Sequence, residues 1–566
     1  MSEKQVNTES SPEIIDAAPD LHSYPVVAEG TGKTAANEGA QSKTVYNAEL
    51  YAALQETDIH PWTRESFHLY FAVFVAFLCA CANGYDGSLI GSITAMPYFQ
   101  KTFNTGYNGI RVSGIGSLYN VGSIVTAPIG AIISDRYGRK VGMFCGAWVI
   151  ILGAIVAATS FHLAQLVIGR FILGAGIQMM TVAAPAYAIE IAPPHWRGRC
   201  AGFYNNGWFG GSIPAALITY GTIHIDSNYS WRIPLLLQCV ACLFVVVAVW
   251  FIPESPRFHM ANGKDAEALA FLVKYHGNGD PNSRLVRLEI EEMREGIKAD
   301  GLDKVWWDYR PLFSTHDGRW RMTQVLMISI FGQFSGNGLG YYNAAIFKDM
   351  GISTAPLQLA YNILATSCQA IGGMTGMSLT DRMPRRKVLV IGTFLCAVAL
   401  ACNSGLTSVV AKEINETTVG SVTGHITNLS YGKGALATYF LFQTIYGFTY
   451  TPLQGVIPAE ALDTNRRAKG LAASGFIVGG MGFINTFCTP IANSSIGYKY
   501  IYIFVGWDIV ESFLWWLFCV ESQGKTLEEL EWVYAQKNPV KASLKVDKIV
   551  VQADGTVSEK IVDHSE

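Results

Sequence analysis

Runs of about 20 apolar residues recur along this chain, separated by short polar and basic stretches. Each is long enough to cross ~30 Å of hydrocarbon as a helix that rises about 1.5 Å per residue. Twelve such runs fall near residues 69–91, 112–133, 141–159, 163–189, 201–222, 232–252, 322–347, 357–379, 388–407, 434–457, 471–492 and 500–519. In lipid, only helices and closed barrels satisfy their own backbone groups, and continuous runs with frequent Gly and Ala favour packed helices over alternating barrel strands. The pattern predicts an all-α polytopic membrane protein with twelve transmembrane helices. A polar stretch, 1–66, reads as a disordered cytosolic tail. Residues 67–252 and 322–519 read as two six-helix bundles, 253–321 as a charged cytosolic linker with short helices, and 520–566 as a cytosolic C-terminal tail that starts with an amphipathic helix.

Composition narrows the function. Of 566 residues, 50% are hydrophobic and only 15% charged, and the net charge is -3. Collagen-like, disordered and nucleic-acid-binding readings are excluded by this balance and by the lack of any basic block. Most of the 11 cysteines sit inside apolar runs, where a thiol behaves as a small hydrophobe, so no disulfide framework is expected. The single CxxC, Cys239 to Cys242, has no second pair or histidine motif beside it, and no metal site is predicted. No G-x-x-x-x-G-K-[ST] phosphate loop occurs, which speaks against ATP-driven pumping, and nothing in the sequence indicates an enzyme.

Orientation follows from two independent signals. With a cytosolic start, the loops after even-numbered returns carry Arg136, Arg139 and Lys140, then Arg197 and Arg199, then Arg382, Arg385, Arg386 and Lys387, then Arg466, Arg467 and Lys469. That matches the rule that basic loops stay inside. All four N-x-S/T sequons, Asn228, Asn415, Asn428 and Asn493, fall in the opposite loops, where glycosylation acceptors must lie. Both termini are therefore expected in the cytosol.

The two halves repeat. DRYGRK starts at Asp135 and DRMPRRK at Asp381, a separation of 246; Glu190 and Glu460 are 270 apart, and Glu254 and Glu521 are 267 apart. Matching motifs at matching places imply a duplicated six-helix unit. These glutamates stand at span ends near Arg139, Arg197, Arg385 and Arg467, so paired charges there could latch one face of the protein and release it on opening. The plainer reading is that they anchor helix ends and fix topology.

Together these motifs resemble the sugar porters of the major facilitator superfamily. The residues that carry the resemblance are GYD (84–86), DRYGRK (135–140), GRF (169–171), PAYAIEIAPPHWRG (185–198), WRIP (231–234), PESPRF (253–258), QFSGNG (333–338), DRMPRR (381–386), PAE...RAKG (458–470) and ESQGKT (521–526). SGNGLGYYN with TPLQ (451–454) looks closest to the fungal lactose-permease-like branch. The resemblance implies two pseudo-symmetric six-helix bundles, a plasma-membrane location, function as a monomer, and Asp135, Arg139, Glu190, Arg197, Glu254, Asp381, Arg385, Glu460, Arg467 and Glu521 as a cytosolic gate.

Asp86 lies deep in the first apolar run, where an ionised carboxylate costs several kcal/mol unless paired, and Arg170 in the fourth run is its natural partner. A carboxylate alternating between a protonated and an arginine-paired state can couple proton entry to a conformational change. The resemblance therefore implies proton symport by this pair, with the proton as coupling ion and no other cofactor; a static ion pair in a passive facilitator is the alternative. Amides projecting from apolar spans both donate and accept, as sugar hydroxyls do. Candidate binding residues are Gln333 and Asn485, which match the family's seventh- and eleventh-helix signatures, together with Asn206, Asn337, Gln178, Tyr342, Asn343 and Gln454. Gly332, Gly338 and Gly455 stand where many hexose carriers have bulkier polar or aromatic side chains, and Asn206 where they have a glutamine. This predicts a wider cavity and a disaccharide such as lactose or cellobiose; a glycoside, a polyol or an acidic sugar, an exporter, and a non-transporting nutrient sensor are the other readings. Asp508 and Glu511, three apart in the last span, have no place in the family pattern.

Overall fold

The computed structural model describes residues 60–563 except 108, 195, 303–308, 353, 420–428, 463, 524, 526 and 552–556. The N-terminal tail to residue 59 and the sequon at Asn428 lie outside the described residues, as do the side chains of Asp381, Asn415 and Arg467. Among the described residues, twelve long helices occupy the twelve predicted runs: α1 (Arg64–Ile93), α2 (Ile110–Tyr137), α3 (Arg139–Ala158), α4 (Leu163–Glu190), α5 (Arg197–Thr222), α6 (Tyr229–Ala248), α7 (His316–Phe334), α8 (Ala355–Leu379), α9 (Arg385–Val419), α10 (Leu429–Ala461), α11 (Thr464–Ile496) and α12 (Tyr500–Phe518). Thr63 opens α1 by accepting the amide of Ser66, which places the helix start five residues before the apolar run.

The duplication seen in the motifs is also a duplication of packing. α1 packs on α5, α2 and α3 on α4, and α3 on α6; in the same relation α7 packs on α11, α8 and α9 on α10, and α9 on α12. The main contacts between halves, α2 with α11 and α5 with α8, are each other's counterparts under that repeat. Large apolar side chains such as Val240, Leu243, Ile503 and Phe513 are exposed, while Gln238, Gln333, Asn362 and Asn485 are buried. This inversion of a water-soluble protein is what a lipid surround selects. Seven described segments are long and apolar enough by themselves to cross a membrane, the last, Lys469–Phe518, containing both α11 and α12. Helices α5, α7, α8 and α10 lie outside those seven, and they carry many of the inward-facing amides.

The seventh run is not one helix, as its hydrophobicity predicts. α7 ends at Phe334, Gly336 takes φ +91, and the chain continues as the short helices Asn337–Gly340 and Asn343–Asp349. A left-handed residue cannot continue an α-helix, and only glycine adopts it without a Cβ clash. Hydrophobicity averaged over a window does not register a single backbone reversal.

The linker between halves folds into short helices, including Asp265–Tyr275 and Arg284–Leu302. The buried His276 ring bridges Glu289, at 2.6 Å, and the carbonyl of Ile191 at the end of α4, at 3.2 Å. After α12, the helix Leu527–Ala535 folds back so that Leu530, Val533 and Tyr534 are buried, and the Arg321 guanidinium of α7 lies 4.7 Å from the Tyr534 ring.

Candidate functional site

One end of the molecule, here called the basic end, carries two copies of one charged cluster. In the first half, Arg139 binds Glu190 at 3.2 Å and Asp135 at 2.9 Å, Ser255 donates to Glu190 at 2.5 Å, and Glu254 accepts the Lys140 amide at 3.3 Å. In the second half, Arg385 binds Glu460 at 2.9 Å, Ser522 donates to Glu460 at 2.5 Å, and Glu521 accepts the amides of Arg385 and Arg386 at 2.9 and 3.1 Å. Each glutamate after a half's sixth span thus caps the start of that half's third helix, where free N–H groups and the helix dipole favour an anion. Burial raises the Glu254 carboxyl above its ordinary range, and the amides of Ser255 and Lys140 oppose that shift. Arg197 departs from the predicted pattern by pairing with Glu289 of the linker, at 3.5 Å.

At the opposite end, polar side chains join the two halves. Asn362 of α8 donates to Ser92 of α1 at 3.0 Å, Asn343 donates to Asn362 at 2.7 Å, and Tyr439 of α10 donates to Asn343 at 2.5 Å. Asn120 of α2 donates to Thr486 of α11 at 2.9 Å, and the Tyr342 hydroxyl donates to the Thr486 carbonyl at 2.8 Å. Of the sequon residues, Asn228 is exposed, whereas Asn493 is buried.

Between the halves lies a small cavity of mixed polar and apolar lining, formed by Gly87 and Ser88 of α1, Trp208 of α5, Asn337, Gly340, Tyr341 and Asn343 after the α7 break, Ala365, Thr366 and Gln369 of α8, and Gln443 of α10. Immediately before Gly87, Asp86 is fully buried and its Oδ1 accepts from Arg170 at 2.5 Å and from Gln238 of α6 at 3.1 Å. Arg170 also reaches the Ile115 carbonyl at 3.4 Å, with its guanidinium 5.0 Å from the Tyr119 ring. Asp86 Oδ2 has no hydrogen-bond partner.

Of the eight binding residues read from the sequence, Asn337 and Asn343 line this cavity. Asn485 instead braces the α7 break: it donates to the Gln333 carbonyl at 2.7 Å and accepts from Thr489 at 3.2 Å, while Gln333 accepts from Asn337 at 3.1 Å. Asn206 points at the Met377 sulfur, 3.6 Å away, Tyr342 is committed to Thr486, and Gln178 and Gln454 are half-buried. The expected widening at Gly332 and Gly338 is also corrected. A methyl group on Gly332 would overlap the Gln454 amide, and one on Gly338 the Asn485 amide, so both gaps are filled. At Gly455 a Cβ would make only an ordinary contact with the Asn205 amide, 3.9 Å away, so of the three positions this one alone is not filled by a neighbour. Sequence reasoning did not select Trp208, Ser88, Thr366, Gln369, Gln238 or Tyr119. The rule that picks polar side chains from apolar spans reaches Gln369 and Gln238; nothing local separates Trp208 from other packing aromatics.

Truncating Asn485 to alanine should therefore act on folding before it acts on binding. It leaves the buried Gln333 carbonyl without its donor, and a loss of about 1–3 kcal/mol is expected, read as a lower melting temperature in detergent.

The sequence model of the "Sugar (and other) transporter" family matches residues 72–534. The chain belongs to this sugar transporter family. It is 29% identical over 490 residues to the high-affinity glucose transporter of Kluyveromyces lactis, covering 84% of this chain and 86% of that one. It is 25% identical over 503 residues to the quinate permease of Neurospora africana, covering 86% and 92%. Among solved structures, the xylose transporter XylE of E. coli in a partially occluded inward-open conformation superposes with a TM-score of 0.64 at 20% identity, covering 81% of this chain and all of that one. The fold is thus the two-bundle major facilitator fold, and the protein is an integral membrane sugar transporter, not an enzyme. The relatives are named for glucose and quinate, and the lactose-permease-like subtype has no support among them.

Proposed function

We propose that this sugar transporter carries a monosaccharide-sized sugar together with a proton, by exposing the cavity between its halves to each side of the membrane in turn. The observation that carries the proposal is the buried Asp86–Arg170 pair placed next to the Gly87–Ser88 wall of that cavity. A proton arriving at Asp86 Oδ2 removes the negative charge that Arg170 faces, which leaves the arginine with the Ile115 carbonyl and the Tyr119 ring and frees α1 and α4 to move apart. Sugar bound against Ser88, Asn337, Asn343, Thr366, Gln369 and Gln443 draws the halves together, and loss of the proton on the far side resets the pair. XylE, which shares the fold, is described as a proton:xylose symporter in its complex with 6-bromo-6-deoxy-D-glucose. In this reading the basic end faces the cytosol with both termini, the membrane is the plasma membrane, the working unit is the monomer, and the proton is the only coupling ion.

The filled gaps at Gly332 and Gly338 and the glucose-named relatives favour a hexose. A disaccharide is the second reading, favoured by Gly455, where a Cβ would make only an ordinary contact with Asn205, and by the likeness of SGNGLGYYN and TPLQ to lactose-permease-like chains. Labelled glucose uptake into proteoliposomes with an inward proton gradient, with cellobiose and lactose as competitors, tests both. Accumulation that an uncoupler collapses supports symport; uptake indifferent to the gradient makes the protein a facilitator, and no uptake of any sugar returns the sensor reading.

Trp208 and Tyr341 flank Gly87, at 3.7 and 3.8 Å from where a Cβ would stand, and form a slot for the apolar face of a sugar ring. Trp208→Ala should raise KM by about three- to tenfold with little change in maximal rate. An unchanged KM would remove Trp208 from the binding wall.

A further inference from the structure

The second half buries two carboxylates that the transport cycle described above does not use. Asp508 and Glu511 stand about one turn apart on α12, and both are 0% exposed. Glu511 Oε2 accepts from Ser335, the residue at which α7 breaks, and lies 3.3 Å from the Tyr450 hydroxyl. Tyr450 is tied in turn to Thr393 of α9 at 2.8 Å and accepts from the Trp515 indole at 3.3 Å. Glu511 also faces the Trp507 indole one turn earlier on α12, while both oxygens of Asp508 have no hydrogen-bond partner. The two carboxyls act on each other electrostatically and share Cys396 of α9 as a neighbour. The other titratable groups facing them are Tyr446 and Tyr450 of α10; α7 contributes the neutral Ser335, and among the described residues neither acid forms an ion pair.

Two adjacent negative charges in a dry setting without a cation are not sustainable, because burial penalises each charge and their repulsion adds to it. An acid kept there through folding must hold a proton, and an unpartnered buried carboxyl is itself a feature that needs a reason. We propose that Asp508 and Glu511 form a second proton-binding site, which holds at least one proton in this conformation and is linked through Ser335 to the break in α7. The proposal rests on the transport reading for its consequence. The segment after the break carries Asn343, which joins the halves at the end opposite the basic clusters, so opening that end moves Ser335. When the Ser335 hydrogen bond is lost and water enters, the carboxyl O–H bond breaks, the proton leaves on water, and the charge that remains is solvated. Reclosing expels the water and takes a proton back.

The test uses purified full-length protein in proteoliposomes, without sugar first. Infrared absorption of protonated carboxyl groups at neutral pH should show a component that Asp508→Asn or Glu511→Gln removes and Asp86→Asn does not. Ser335→Ala, which deletes one hydroxyl and leaves both acids, should shift that component. In glucose counterflow with equal pH on both sides, Glu511→Gln should move the midpoint of the pH dependence by about one unit or more. A wild-type spectrum lacking such a component would overturn the proposal, and so would a requirement for sodium in its place. An unshifted component in Ser335→Ala would overturn the link to α7. Absence of all uptake with the component present would sink the transport reading and leave the proton site standing.

Discussion

Arg170→Met is expected to be the most destructive single substitution in the first half, costing about 3–5 kcal/mol of stability. Asp86 is 0% and Arg170 2% exposed, and without the guanidinium the carboxylate keeps only Gln238 as a donor. A charge left alone in a dry interior costs more than the pair contributes when intact, and a loss of this size is a large part of the total stability of a typical fold. Asp86→Asn should be milder, since Arg170 retains the Ile115 carbonyl and the Tyr119 ring, but it should abolish sugar accumulation while exchange of sugar for sugar continues. Combining the two substitutions should recover most of the lost stability without restoring accumulation. Melting temperatures in detergent and gradient-driven uptake measure the two effects separately. If Asp86→Asn still accumulated sugar against a gradient, the coupling role would have to move elsewhere, with Glu511 the next acid to examine.

Gly91→Val should arrest the transport cycle without unfolding either half. Gly91, in the last turn of α1, lies against the backbone carbonyl of Tyr341, in the segment after the α7 break, and a side chain at that position would overlap the carbonyl. Backbone cannot step aside as a flexible side chain does, so the branched residue must wedge the halves apart where Ser92, Asn362 and Asn343 join them. The expected result is normal expression and a melting temperature within a few degrees of wild type, with turnover reduced at least about a hundredfold, as a penalty of roughly 3 kcal/mol on one of two required states implies. A cysteine pair placed across the Ser92–Asn362 contact should form a disulfide readily in the wild-type background and poorly in Gly91→Val. Full transport in Gly91→Val would show that the contact between α1 and Tyr341 is not remade in each cycle.

The linear sequence carries this much of the architecture because its physics is one-dimensional. A membrane-crossing helix must be apolar over a length set by the bilayer, so twelve helices could be read as twelve runs. The repeated motifs at Asp135 and Asp381, and at Glu254 and Glu521, announced the duplication because each copy solves the same local problem, an anion at the start of a helix next to an arginine. Asp86 with Arg170 was legible for a similar reason: a charge in an apolar run needs a partner, and the first half offers few.

What the sequence could not disclose are relations between residues that meet only after packing. Gln333 and Asn485 look like sugar ligands because they are amides in apolar spans, yet the tertiary structure joins one to the backbone of the other. Gly332 and Gly338 look like space, and only folding shows that Gln454 and Asn485 occupy it. Absent bulk in a sequence becomes cavity volume only if no neighbour fills it, and packing at interior density usually supplies one. The sequence alone therefore determined the class of protein, the order of its twelve long helices, the repeat and the buried ion pair. The tertiary structure decided which side chains line the cavity, where α7 breaks, and that Asp508 and Glu511 meet Ser335 at that break, since each depends on distances between segments far apart in the chain.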